Sequence, residues 1–293
     1  MEDDTLLSAV KGHARAITDP SGQEVLVLDE RSAMNLAQSF GVHLGEVFKE
    51  ALRQDILPYR YIRNKGLISA QDQLRLAESC VAVVGLGGLG GQVILLLARM
   101  GVGRLVGIDG DRFDETNLNR QALSKLDNIG SPKALEAAEA VKEINPAIEV
   151  YTHHITLQAA NTAKLLQGTD VIVDALDNVM DRFLLEKSAK ELAIPMVHGG
   201  IGGFEGQVMT IYPEDEGLEV VYGPKEKWER FGDSKQGVEV VLGVPAVTAC
   251  LVAALEVMEV LKILLHRGRV MKDRLLRLDL EMSQFHEILF KEA

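Results

Sequence analysis

Cysteine is almost missing from this chain: only Cys80 and Cys250 occur in 293 residues, far apart in sequence. So sparse a set builds no disulfide framework and offers no paired-cysteine spacing for a structural zinc, so no zinc is expected. It fits a reducing compartment. Long hydrophobic runs are missing too. The most apolar stretch, 242–255, is interrupted by Glu256, Glu259 and Lys262 before it is long enough to cross a bilayer. The opening residues MEDDTLLSAV are acidic and carry no signal-peptide pattern, so a soluble cytoplasmic protein is the expectation. Positive charge is in deficit, with 31 Lys and Arg against 43 Asp and Glu and a net charge of −12. That balance argues against nucleic acid or an anionic membrane as the main partner and still permits a local basic pocket. Apolar residues are plentiful, at 47%, so a sizeable core is available to one large domain or two smaller ones.

The chain is organised around 81–133. It opens VAVVGLGGLGG, a buried-strand pattern running into glycines, and continues as a predicted helix over 92–100. RLVGIDGD comes next, an apolar strand ending on Asp109 and Asp111. Strand, helix and strand make a βαβ unit. In the spacing of Gly85, Gly87 and Gly90, with Gly88 between, glycines allow a tight turn and close approach of a phosphate to the backbone. The helix start then offers free N–H groups and partial positive charge to an anion. Asp109, at the end of the second strand, stands where a carboxylate accepts from a ribose hydroxyl. To this point a nicotinamide-dependent oxidoreductase reads the same way. The next two motifs separate them: NLNRQ places Arg120 beside Asn117, Asn119 and Gln121, and GSPK places Lys133 soon after. Two cations converging on one phosphate chain suit triphosphate chemistry, where charge shifts between oxygens during transfer. The oxidoreductase alternative leaves Arg120, Lys133 and the later Asp177 unused.

GLGGLG, DGD, NLNRQ, GSPK and later DALDN, in that order and spacing, resemble the ThiF/MoeB/HesA family of ubiquitin-like-protein activating enzymes. The resemblance covers the chain from about residue 59 onward. It implies a Mg-ATP-dependent adenylyltransferase that activates the C-terminal glycine carboxylate of a small ubiquitin-fold carrier protein ending in Gly-Gly, with release of pyrophosphate. It also implies a homodimer. In PYRYIRN, Arg63 matches the family arginine that reaches the ATP phosphates of the neighbouring protomer. Asp177 matches the magnesium-associated aspartate, and its place at the end of VIVDALDN, read as a buried strand over 171–178, suits that role, because residues at a strand's carboxyl end face the ligand crevice of an open α/β sheet. Asn178 stands beside it. Arg120, Lys133, Asp177 and Arg63 are thus the candidate catalytic residues.

The fold class expected is α/β, a Rossmann-like doubly wound, mostly parallel sheet over 58–293 with antiparallel C-terminal strands at 275–280 and 285–290. Residues 1–57 read as a small, mainly helical docking or packing subdomain with one strand at 24–28. There Ser32 caps a helix that Gly41 ends, and a second helix over 43–55 turns Leu44, Val47, Phe48, Ala51 and Leu52 to one face. The pair has a helix-turn-helix look, but the second helix offers only Lys49 and Arg53 among Glu46, Glu50 and Asp55, a poor match to DNA. Adjacent His153 and His154 make a poor metal pair. His198 reads as a polar lining residue. Cys80 and Cys250 read as small core residues.

The polar, charged stretch 213–240 reads as irregular; the resemblance makes it the family's crossover loop, which covers the partner's C-terminal tail, with metal-binding cysteine pairs nearby and, in some members, a reactive cysteine. This loop has no cysteine. Adenylation is therefore supported by residues and sulfur transfer by this chain is not. The same lack keeps a third reading open, a scaffold that binds ATP and has lost the transfer chemistry.

Overall fold

The structure is a computed structural model, describing residues 5–19, 21–229 and 242–290. The chain begins with α1 (Leu6–His13), β1 (Arg15–Thr18), β2 (Glu24–Leu28), α2 (Glu30–Phe40), α3 (Leu44–Arg53) and the short β3 (Leu57–Pro58). β2 pairs antiparallel with β1 and parallel with β3, so this unit holds a three-stranded sheet where the sequence showed one strand. Asp29, not Ser32, caps α2: its carboxylate accepts from the Ser32 N–H at 3.0 Å, and the Ser32 hydroxyl also turns back to it. Aspartate accepts without giving up a donor, which makes it the stronger partner for the helix N–H groups. Gly41, at φ 63°, ends the helix as expected. The five apolar residues foreseen on α3 are all buried.

A 3-10 segment (Tyr59–Asn64) and α4 (Ala70–Glu78) lead to the main sheet. Its parallel half comprises β4 (Cys80–Val84), β5 (Arg104–Ile108), β6 (Glu149–His153), β7 (Val171–Asp174) and β8 (Met196–Gly202). Between these strands run α5 (Gly88–Met100), α6 (Lys133–Ile144), α7 (Thr162–Leu166) and α8 (Val179–Glu191). The antiparallel half comprises β9 (Glu205–Ile211), then, after α9 (Glu219–Tyr222), α10 (Lys225–Glu229) and the long α11 (Ala246–Leu264), β10 (Arg274–Asp279) and β11 (Gln284–Leu289). The strand order is β11-β10-β9-β8-β7-β4-β5-β6.

β4 shows why this sequence folds into layers. Val81 and Val83 join the core formed with α5, α6 and α11, while Cys80, Ala82 and Val84 join the core formed with α7 and α8. A strand apolar at every position is stable only when helices cover both faces. The chain winds one way from β4 through β5 to β6 and the other way through β7 and β8. Its switch point therefore lies at the carboxyl ends of β4 and β7, where α/β sheets of this kind open a ligand crevice. The first unit is fastened against this sheet. Asn145 donates to the Tyr61 hydroxyl at 2.9 Å and to the Ala98 carbonyl at 3.1 Å, and Arg60 forks onto Glu30.

Several details differ from expectation. α5 starts inside the glycine run, and β7 stops at Asp174, leaving 175–178 as a turn. Within 213–229, expected to be irregular, α9 and α10 form; the rest of the crossover segment lies outside the described residues. Cys250 is not a core residue. It is exposed on α11, because the apolar run is a helix with only one face against the sheet.

Candidate active site at the switch point

A cavity of about 540 Å³ opens at the carboxyl ends of β4, β5 and β7, a size suited to a nucleotide-sized ligand. The glycines around it divide into two kinds. Gly85 sits at φ +87°, and a Cβ there would lie 2.5 Å from the Ala175 carbonyl oxygen. A Cβ on Gly90 would lie 1.8 Å from the Gly85 oxygen. These two serve the turn and the helix–strand contact. Gly87 and Gly88 line the cavity, and a Cβ on either would meet nothing closer than 3.6 Å. Their bareness leaves space for whatever fills the cavity. Gly90→Ala is accordingly expected to lower the melting temperature by about 5 °C or more, the cost of overpacking. Gly87→Ala should melt like the parent yet weaken nucleotide binding. Differential scanning calorimetry with and without nucleotide checks both.

Asp109 closes β5 on the cavity wall. Its Oδ2 accepts from the Leu86 N–H and its Oδ1 from the Asp111 N–H, each at 2.7 Å. Burial pushes its pKa up, with Lys133 and these N–H groups pulling the other way. Lys133 is the first residue of α6. Its buried ammonium faces the cavity and lies 2.9 Å from the exposed carboxylate of Asp111. Arg120 lines the same wall, steadied by the Thr116 carbonyl at 2.7 Å and Asn119 Oδ1 at 3.0 Å. Gln121 lines the cavity beside it, and its Oε1 is buried with no hydrogen-bond partner among the described residues. Asp177 and Asn178 line the opposite side. Asn178 caps α8 through the Asp181 N–H at 2.8 Å. Asp177 is exposed on the turn and its carboxylate engages no described residue.

Three sequence candidates stand elsewhere. Asn117 is not on the cavity wall: its Oδ1 accepts from the Asp114 N–H, and its carbonyl accepts from the N–H groups of Arg120 and Gln121. It shapes the turn that presents those two. Asn119 is exposed and touches Arg120 instead of the cavity. Arg63 is exposed on the 3-10 segment and does not line its own chain's cavity. His198 is not a lining residue either. It is fully buried, with Nδ1 2.7 Å from Asp174 and Nε2 3.2 Å from the Tyr222 hydroxyl. Burial holds its pKa below the ordinary histidine value although Asp174 opposes the shift. Sequence reasoning missed Asp111 as the partner of Lys133, and it missed Arg182, a buried cation in the cavity wall. The signal for Arg182 was available: a buried strand carrying Asp174 needs a cation, and one stands eight residues on.

The family model described as ThiF family matches residues 61–293. The chain belongs to the ThiF family. It is 35% identical over 225 residues to the SAMP-activating enzyme E1 of Haloferax volcanii, covering 76% of this chain and 81% of that one. It is 34% identical over 241 residues to the sulfur carrier protein adenylyltransferase of Thermus thermophilus, covering 80% and 84%. Identity to the adenylyltransferase and sulfurtransferase MOCS3 of Aedes aegypti is 37% over 226 residues, or 75% of this chain; the ThiF-family chain spans only half the length of that relative. Among solved structures, E. coli MccB with AMPCPP and MccA superposes with a TM-score of 0.66 at 20% identity, over 80% of this chain and 72% of that one. At that identity the likeness shows the shared fold.

Proposed function

We propose that this ThiF-family protein is an adenylyltransferase that binds ATP at the switch point and activates the C-terminal carboxylate of a small ubiquitin-fold protein ending in Gly-Gly. The observation that carries the reading is the meeting of Arg120, Lys133, Asp109 and Asp177 around one glycine-floored cavity. A dinucleotide site uses the glycines and Asp109 and has no work for the two cations or for Asp177. The activities for which the relatives in Haloferax and Thermus are named point the same way.

The substrate carboxylate is ionised at neutral pH and needs no general base. One of its oxygens attacks the α-phosphorus of ATP, the bond from that phosphorus to the bridging oxygen breaks, and pyrophosphate leaves with the electron pair. Catalysis consists of alignment and of stabilising charge on the phosphate oxygens. Lys133 and Arg120 supply that charge from this chain. Asp109 receives the ribose hydroxyls. Asp177, with free oxygens facing the cavity, fits a hard cation. Mg²⁺ takes oxygen ligands and keeps several waters, so one carboxylate, the phosphates and water would hold it. When bound, that ion neutralises phosphate charge. The active form in this reading is a homodimer with Arg63 acting on the neighbouring site. No helix among the described residues is long and apolar enough to cross a membrane.

Labelled pyrophosphate exchange decides the matter. With ATP, magnesium and a carrier ending in Gly-Gly, label is expected to enter ATP, and to stay out when the carrier is omitted. Isothermal titration is expected to show binding of ATP with magnesium and none of NAD; NAD binding without ATP binding would overturn the proposal. Normal ATP binding with no exchange across a panel of carriers would leave the binding scaffold as the function.

A further inference from the structure

Arg182 has a place in this cavity that the chemistry of adenylation alone leaves unexplained. Its guanidinium is buried in the wall, with Nη1 donating to the Gly199 carbonyl at 2.7 Å and lying 3.5 Å from Asp174 Oδ2. Nη2 donates to the carbonyl of Leu176. The other end of that residue is held as well, since the Leu176 N–H donates to Asp174 Oδ1 at 3.2 Å. The Asp174–Arg182 pair thus clamps both polar ends of Leu176, the residue immediately before Asp177. Asp174 is itself fixed by His198, at 2.7 Å. Burial pushes the Asp174 carboxyl up, but Arg182 and His198 outweigh it and hold the group below its usual value. Asp177, one residue past Leu176, has a carboxylate that engages no described side chain or backbone group. A ligand on an otherwise loose turn is useful only if its backbone is placed beforehand.

We infer that the Asp174–Arg182 pair is a positioning device that fixes the turn at Leu176 so that Asp177 presents its carboxylate to a divalent cation on the nucleotide. This rests on the reading of Asp177 as the magnesium ligand. The pair's own charges cancel, and it keeps its geometry because a guanidinium forks onto two carbonyls, as an ammonium cannot.

The test is direct metal binding. Mn²⁺ is titrated into the protein with a non-hydrolysable ATP analogue and followed by electron paramagnetic resonance, with analogue affinity measured separately in EDTA. Asp177→Asn is expected to lose Mn²⁺ binding. Arg182→Lys is expected to weaken Mn²⁺ by about ten- to a hundredfold and to leave the metal-free affinity unchanged. The double variant Arg182→Lys with Asp177→Asn should be no weaker than Asp177→Asn alone, since both act on one interaction. If Arg182→Lys does not fold, Arg182→Gln with Asp174→Asn removes both buried charges together and carries the same comparison. A folded clamp variant that binds Mn²⁺ like the parent, while Asp177→Asn does not, overturns the inference. Parent-like Mn²⁺ binding by Asp177→Asn removes the magnesium reading, and the inference with it.

Discussion

Lys133→Ala is expected to lower carrier-dependent pyrophosphate exchange by about a hundredfold or more while leaving the protein folded. The side chain contributes a buried ammonium to the cavity wall, and its partner there, Asp111, is largely exposed. Asp111, left without its partner, stays in solvent, so losing the pair costs the fold little. Losing a preorganised positive group aimed at developing phosphate charge costs about 3 kcal/mol of transition-state stabilisation, which is that hundredfold. The same substitution has a second signature. Burial raises the Asp109 pKa, and Lys133 is the leading influence that pulls it back down. Without Lys133, Asp109 titrates higher, so its charged form, the one that accepts from ribose, is lost at a less acidic pH. The acidic limb of residual nucleotide binding should therefore move to higher pH in Lys133→Ala. Exchange rates, thermal melts and the pH dependence of binding check these together. Unchanged exchange would remove Lys133 from the chemistry.

The parts of this site that were legible in the sequence are those written in local order. VAVV had to be covered on both faces, the glycines had to come after it, and Asp109 and Lys133 had to begin or end elements next to them. The parts that were not legible depend on contacts across the chain. Arg182 lies just past the DALDN turn, where a surface helix cation reads the same as one buried against Gly199, until β8 is placed beside β7. Asn117 looked like a ligand contact because it is polar and close to Arg120; only the backbone shows it spent on capping. The α11 run misled for another reason. Val247, Cys250, Ala254 and Met258 recur at helical spacing on its outer face, but Ala249, Leu251, Val252, Ala253, Leu255 and Val257 between them are apolar too, and the polar Thr248, Glu256 and Glu259 lie on the covered face, so periodicity could not tell the covered face from the open one. The β1 strand was missed because it is short, edge-placed and exposed at three of its four residues.

Arg63 carries the prediction that depends on a second protomer. Its position is not loose. It belongs to the 3-10 segment Tyr59–Asn64, pinned by the buried Tyr61 ring and its hydrogen bond to Asn145 at 2.9 Å. From there the side chain is exposed and stays off the wall of its own cavity. An arginine held firmly yet away from its own chain's phosphates can serve a neighbour's. Arg63→Ala and Lys133→Ala are each expected to be nearly inactive alone. Mixed and allowed to exchange subunits, they are expected to recover about a quarter of parental exchange activity. About half the dimers would be mixed, and each mixed dimer has one site with Lys133 from its own chain and Arg63 from the other. The second site of that dimer lacks both. Recovery should grow with the rate of subunit exchange and vanish when the two variants are kept apart. If mixed dimers, verified by native mass spectrometry, remain inactive, Arg63 acts within its own chain or plays no part in catalysis.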